Sequence, residues 1–387
     1  MLAMQVRDVE LLDQGAIVTL AEVAQEVRLR FYTTRVGGEA VLAALKQKQS
    51  KRPPIHVLLI DALKHFDVSV CRATLDELRE GGLEAHLHLQ SSDGKNVTVE
   101  ALDSDVVTIA IRAGAPLDVS EQVVAALGFC RGQLIDVGGY HLSVHVKGSG
   151  GPTFVPESGF GGGYVTWSKV QDDIARFTTV CSYDRASIGW SESGTKPRTF
   201  RNSVQDLHAL LERLALPAPY VLVGHSLGGL LIRLYAECYP TDVAGLVLVD
   251  STHPDQRDRF LTMLPPESAD EPPSVREFRK GLLSPALWSP YWDDAAICWE
   301  EVQGCRNLGD LPLAVITAAK RDNPLDLPTE VVAQRDQLRQ DMQEDLARLS
   351  SRSMHRFAEQ SGHMIPFDQP EIVIDTIREM VDAIRQA

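Results

Sequence analysis

Apolar residues fall on two different periods along this chain, and their arrangement divides it into two parts. Up to about Gly132, short runs that alternate apolar and polar positions are interleaved with stretches at helical spacing. Ala16–Leu20 and Val27–Tyr32 predict strands, and Glu39–Gln47 is rich in helix formers. The polar segment Lys48–Pro54, with two prolines, breaks the chain before a helical run over Ile55–Phe66. Glu84–Leu89 sets Ala85, Leu87 and Leu89 against Glu84, His86 and His88, the pattern of a half-buried strand. Asn96–Glu100 is placed to pair with it across the Ser91–Lys95 turn, and Ser104–Ala113 is apolar at helical spacing with Ser104 as the expected N-cap.

Beyond Gly132 the texture changes. Gly138-Gly139 separates two strand-like runs, and Gly148 to Gly151 form a turn cluster. Strands and helices then alternate: Thr153–Glu157, Ser168–Phe177, Thr178–Tyr183, Ser203–Leu214, Tyr220–Val223, Leu227–Tyr239 and Ala244–Asp250. Leu313–Thr317 resumes the series, which ends in a polar helix through Leu349, a strand near His355–Glu359 and a helix over Glu371–Arg385. Such alternation predicts an α/β domain over residues 132–387, a mainly parallel sheet with helices on both faces, preceded by a small α+β domain over residues 1–131. Residues 251–312 are too long for a plain crossover. They hold Pro265, Pro266, Pro272 and Pro273 and the aromatic residues Trp288, Tyr291, Trp292 and Trp299. We read this insertion as a helical cap, with Trp288, Tyr291 and Trp292 lining an apolar acyl or aromatic pocket; packing of cap on core is the alternative.

Composition narrows the partners. The 387 residues are 44% hydrophobic and 24% charged, ordinary values for a globular protein, and exceed what one hydrophobic core usually organises. The net charge of −15 disfavours phosphate backbones and anionic lipid as bulk partners. The six cysteines lack C-x-x-C spacing, so no zinc site or redox pair follows from them. Residues 1–20 carry Arg7, Asp8, Glu10 and Asp13 and no uninterrupted apolar stretch, so neither a signal peptide nor a membrane span is expected. A reduced, cytoplasmic protein without membrane association is the expectation; oligomeric state is not legible.

Candidate chemistry concentrates at Val221-Leu222-Val223-Gly224-His225-Ser226-Leu227-Gly228-Gly229. An apolar strand runs into G-x-S-x-G and directly into a helix, the context in which a tight turn lifts a serine above a sheet. The helix start beside Ser226 offers backbone N–H groups and positive dipole to an oxyanion. A serine hydroxyl needs a base near pH 7. Ser361-Gly362-His363 lies late, between the last strand and the last helix, which makes His363 the candidate; His225 and His253 read as packing and loop residues. The acid that orients His363 should follow a strand end. Asp322, after the penultimate strand, is favoured, with Asp250, one strand earlier, as the alternative. Phe160, in the glycine-rich loop Glu157–Gly163, and Leu227 are the expected oxyanion donors.

These residues resemble the α/β-hydrolase superfamily over about Gly132 to Ala387. Gly224–Gly228, Ser361–His363 and Tyr183-Asp184-Arg185 with Gly189-Trp190-Ser191 carry the likeness, the last being similar to a D-R-x-G-x-G-x-S segment. Ser187 stands at that segment's first glycine, and Ser158-Gly159 replaces the usual His-Gly. The resemblance implies hydrolysis of an ester or related acyl bond of a small-molecule substrate, with neither metal nor organic cofactor. Such a superfold does not select the substrate.

The N-terminal segment resembles the bifunctional nuclease (DNase/RNase) domain family over residues 3 to 128. The matching pieces are Val36-Gly37 with Glu39-Ala40, Arg52-Pro53 with His56 and Leu58-Leu59, Ser104-Asp105, Ile111-Arg112 and Ala113–Leu117. Leu102 and Val57 stand where that family has an arginine and an aspartate. Residues 1–130 hold 13 Lys and Arg against 18 Asp and Glu, a net of −5. A nuclease, for which nucleic acid would be the partner, and a silent oligomerisation or ligand-sensing module are therefore both open readings for this domain.

Overall fold

In the computed structural model the chain separates into two compact units, Met1–Arg131 and Gly132–Ala387. The structure describes all residues except 12–14, 24–26, 48–53, 80–81, 131, 269, 284–291, 294, 305, 321–325 and 387.

The first unit contains strands β1 (Leu2–Leu11), β2 (Gly15–Glu22), β3 (Val27–Thr34), β4 (Val68–Arg79), β5 (Gly82–Ser91), β6 (Asn96–Ala101), β7 (Leu117–Val119) and β8 (Gly128–Cys130). Helices α1 (Arg35–Leu45), α2 (Ile55–His65), α3 (Asp103–Ala113) and α4 (Glu121–Leu127) lie between them. The strands form one sheet in the order β6-β5-β4-β7-β1-β2-β3-β8, all antiparallel pairings except β4 with β7. Alternation along β2 buries Ala16, Val18 and Leu20, and along β5 buries Leu83, Ala85 and Leu87, against Val41 of α1 and Val106, Val107 and Ala110 of α3. Strands β1 and β4 were absent from the sequence-based expectation. β4 carries Ser69, Arg72, Thr74, Asp76, Glu77 and Arg79 among its twelve residues, which blurs its period. Helix α3 begins one residue before the expected cap: Leu102 occupies the cap position, and the Asp103 carboxylate takes the Ser104 N–H at 2.5 Å, leaving Ser104 inside the helix and buried.

In the second unit β9 (Gln133–Asp136) and β10 (His141–Lys147) form a hairpin; at its turn Gly138 and Gly139 adopt φ of 124° and 106° and both donate to Asp136 Oδ1. Strands β11 (Phe154–Glu157), β12 (Val180–Tyr183), β13 (Tyr220–His225), β14 (Val243–Val249), β15 (Leu313–Ala318) and β16 (Ser353–Ala358) complete a sheet ordered β16-β15-β14-β13-β11-β12-β10-β9. It is parallel from β12 to β16, and β10 and β9 add on antiparallel. The helices are α5 (Gln171–Ile174), α6 (Phe200–Arg213), α7 (Gly228–Cys238), α8 (Gln256–Met263), α9 (Pro273–Leu283), α10 (Ala295–Glu301), α11 (Thr329–Ala347), α12 (Ile365–Asp368) and α13 (Pro370–Gln386). Of the helix expected over residues 168–177, only the four residues of α5 are α-helical, after a 3-10 turn at Tyr164–Trp167.

The central strands are apolar on both sides because both sides are covered. Leu222, Leu246, Leu248 and Val315 pack with α6, α7 and Leu346 of α11, while Val221, Val223, Val247, Val249 and Ile316 pack with α5, α12 and α13. Helix α13 shows the cause in its period: Val373, Thr376, Ile377, Met380 and Val381 form one buried stripe. The 62-residue insertion between β14 and β15 is helical, holding α8, α9 and α10.

Candidate active site

Ser226 sits where β13 gives way to α7. Its φ is +53°, in the left-handed region that costs an L-residue about 1–2 kcal/mol. The neighbours that hold it there are explicit. The Ser226 N–H donates to Val249 O at 3.1 Å, and its carbonyl accepts from the N–H groups of Gly229 at 3.1 Å and Thr252 at 3.0 Å. A strained dihedral persists when the surroundings over-determine it. The flanking glycines are required by contact. A Cβ on Gly224 would lie 2.6 Å from the carbonyl carbon of Gly228, and one on Gly228 would overlap Glu157 O. The serine side chain itself is half-exposed.

His363 comes from the loop between β16 and α12. Its Nδ1 lies 2.7 Å from Asp250 Oδ2, across 113 residues of sequence. The Asp250 side chain is 2% exposed, and its other oxygen accepts the Ala318 N–H at 3.1 Å. Asp250 follows β14 directly at φ +39°, and its own N–H donates to Ile316 O at 2.7 Å, so the carboxylate is fixed between two strand ends. Of the two acids weighed from sequence, the alternative, Asp250, is the one placed beside His363 among the described residues, just past the end of β14. Asp322 itself lies outside the described residues. Arg339 of α11 approaches Asp250 Oδ2 at 3.9 Å, a neighbour the sequence did not flag.

His225 is 3% exposed, and its ring lies 4.7 Å from that of His363. Its Nε2 is 2.8 Å from His363 O, which makes that nitrogen the protonated one. Burial, with the neighbouring His363 second, pushes its pKa down to about 4, so it is neutral near pH 7. His253 is also buried. Its Nδ1 accepts the Asp255 N–H at 3.0 Å, which commits it to its own turn.

The loop after β11 closes on the elbow. A Cβ on Gly159 would lie 3.2 Å from Ser226 Cβ, a tight contact that glycine avoids as this loop comes near. Ser158 points inward: its hydroxyl donates to Gly163 O at 2.8 Å and accepts from Trp167 Nε1 at 3.0 Å. Arg185, 5% exposed, holds the loop from below, donating to Ser158 O and Gly159 O at 2.6 Å each and pairing with buried Glu157, which also accepts from Tyr183. Asp184 ties two turns together, accepting from Tyr164 N at 2.9 Å and Trp190 N at 3.2 Å; a Cβ on Gly163 or Gly189 would collide with its oxygens. The Asp184-Arg185 pair was noticed as a motif, yet nothing in its local pattern disclosed that it clamps this loop. Ser187, at the motif's first glycine position, has φ +68°.

Phe160 and Leu227 thus flank Ser226 on the two segments expected, Phe160 next to the close-packed Gly159 and Leu227 just before α7. The aromatic residues of the insertion are placed differently. Trp292 is 2% exposed, meets Phe200 edge-on at 5.0 Å and donates from Nε1 to Ser203 Oγ at 3.1 Å; it also lies 6.3 Å from the Phe160 ring. It is a buried side chain, the packing of cap on core that was the alternative to its expected place in a pocket wall. Trp288 and Tyr291 lie outside the described residues. Among the described residues, no cluster of His, Cys, Asp and Glu is arranged to hold a metal, and no helix is long and apolar enough to cross a membrane.

Comparison with known proteins agrees with this architecture. The family model described as "Alpha/beta hydrolase family" matches residues 154–376, and that of the bifunctional nuclease domain matches residues 18–130. YqjL of Bacillus subtilis (strain 168) is 30% identical over 239 residues, 62% of this chain and 87% of that protein. The (lyso)-N-acylphosphatidylethanolamine lipase of Bos taurus is 34% identical over 96 residues, 24% of this chain and 28% of its own length. A thermophilic esterase from Thermogutta terrifontis superposes with a TM-score of 0.45 at 21% identity, over 65% of this chain and 99% of its own. With its G-x-S-x-G elbow on a parallel sheet and a family match covering more than half its length, the chain belongs to the alpha/beta hydrolase family, and its first unit is similar to the bifunctional nuclease domain over residues 18–130.

Proposed function

We propose that this protein is a serine hydrolase that cleaves an ester or related acyl bond of a small, apolar substrate through an acyl-enzyme. The observation that carries the reading is a positive-φ serine on the strand-to-helix turn whose immediate neighbour is bonded to a late histidine, itself held at Nδ1 by a buried carboxylate. In this mechanism His363, with its Nδ1 proton on Asp250, presents an unprotonated Nε2 and accepts the proton of Ser226 as the hydroxyl attacks the acyl carbon. The C–O bond to the leaving group then breaks, and His363 returns the proton to the departing oxygen. Water repeats the sequence on the acyl-enzyme and releases the acid. The N–H groups of Phe160 and Leu227 hold the oxyanion in both halves, and the Arg185 clamp keeps the Phe160 segment against Ser226. The likeness to a lipase over 96 residues fits acyl chemistry.

The test is a fluorophosphonate probe and a panel of p-nitrophenyl esters on wild type and Ser226→Ala, run beside plasmid and RNA digestion. Serine-dependent labelling, with kcat lower by about 10⁴ or more in Ser226→Ala, is the expected result. Digestion that survives Ser226→Ala, with no labelling of wild type, would move the activity to the N-terminal unit.

A further inference from the structure

The proposed mechanism needs two side chains from opposite ends of the hydrolase unit to stay in register, and Asp250 alone does not secure this. Asp250 holds the imidazole of His363 at one nitrogen and leaves the main chain of residue 363 free to shift about that point. The loop's other bonds lie on its flanks. Ser361 N–H donates to Ala358 O at 3.2 Å and Lys320 N–H to Ser361 O at 3.0 Å, while Gly362 N–H and Ser361 Oγ reach Asp368 at 3.2 Å. The described contact on the main chain of His363 itself comes from His225, at 2.8 Å.

We propose that His225 is a positioning residue that registers the base to the nucleophile: its Nε2–H grips the His363 carbonyl, and its backbone is covalently joined to Ser226. This rests on the serine-hydrolase reading above and adds a role for the second residue of the elbow. The burial of His225 strengthens the arrangement. A 3% exposed donor has little water to exchange with, so releasing the carbonyl would leave the His225 N–H unsatisfied. The other ring nitrogen faces the oxyanion loop, where a Cβ on Gly159 would lie 3.1 Å from His225 Nδ1. One imidazole is therefore packed among the elbow, the base loop and the oxyanion loop. Its near-neutral-pH state follows from burial, so it neither competes with His363 for the serine proton nor places a cation beside it.

The experiment compares two amides at this position. The side-chain nitrogen of glutamine reaches about where imidazole Nε2 stands, while asparagine is one methylene too short to meet His363 O. Rates of p-nitrophenyl ester hydrolysis, KM, Tm and fluorophosphonate labelling are measured for wild type, His225→Gln and His225→Asn. The expected result is a kcat about 10- to 100-fold lower in His225→Asn with KM within about twofold, recovery to within about threefold of wild type in His225→Gln, and equal Tm values for the two variants. A kcat within about twofold of wild type in both variants overturns the tether. Equal losses in both, or losses that track Tm, overturn it also. Failure to label wild type overturns the serine-hydrolase reading and this role with it, whereas a labelled wild type with indistinguishable variants removes the tether alone.

Discussion

Replacing Asp250 with asparagine should nearly silence the enzyme while leaving it folded, and the structure explains why no rotamer escapes the conflict. One carboxylate oxygen accepts the Ala318 N–H and the other accepts from His363 Nδ1. An asparagine that keeps its carbonyl on Ala318 aims its NH2 group at Nδ1. That drives the imidazole proton to Nε2, the nitrogen that must accept from Ser226. The flipped amide restores the histidine tautomer but sets an NH2 donor against the Ala318 N–H, with both groups buried. The first arrangement satisfies more bonds and should prevail. A base in the wrong tautomer costs about 10⁴ in kcat, or about 5.4 kcal/mol of transition-state stabilisation, with KM little changed. Arg339, 3.9 Å from the carboxylate, loses a charged neighbour in the variant, a secondary cost to stability. The assay is steady-state ester hydrolysis with thermal denaturation as the control for folding, and Asp322→Asn should stay within about threefold of wild type. An Asp250→Asn enzyme keeping more than about a tenth of wild-type kcat, or a larger loss in Asp322→Asn, would refute the assignment.

Glu157→Gln leaves the Arg185 guanidinium buried without its carboxylate. Loss of about 3 kcal/mol or more is expected, read as a lower urea midpoint together with slower ester turnover, and an unchanged midpoint would count against the clamp. Ser187→Gly relieves an exposed serine at φ +68°; a gain of about 0.5–1 kcal/mol with activity unchanged is expected, and no gain would show that the dihedral is not strained. His225 and His253 both have pKa values pushed down to about 4 from the ordinary 6.5, mainly by burial. The unfolded chain then binds more protons than the folded one between those values. Stability is fully present above pH 6.5 and lost as pH falls toward 4, with a slope approaching about 1.4 kcal/mol per pH unit for each histidine. Unfolding midpoints from pH 7 to 4 test this, and a flat profile in that window would exclude neutral burial of the two rings.

Much of this arrangement was already legible in the chain because it is local. A strand, a G-x-S-x-G turn and a helix occupy consecutive residues, so the strain at Ser226 and the steric need for Gly224 and Gly228 are written within a few positions. The break near Gly132 and the alternation from β11 to β16 follow from periodicity, which is local too. His363 stands out in the sequence by its place after the last strand. The tertiary structure decided which groups meet it. Asp250 follows the end of β14, and only the folding of the chain brings it to a histidine 113 residues away. Trp292 reads in sequence either as a pocket aromatic or as packing of cap on core, and the structure sets it against Phe200 and Ser203 of α6. Arg185, Glu157 and His225 carry no local signal of their tasks, since a buried charge or imidazole is tolerated only where distant backbone groups converge to satisfy it. Sequence determines where the backbone must bend and which faces must be covered; chain closure determines which polar atoms end within 3 Å of one another, because that distance depends on every element between them.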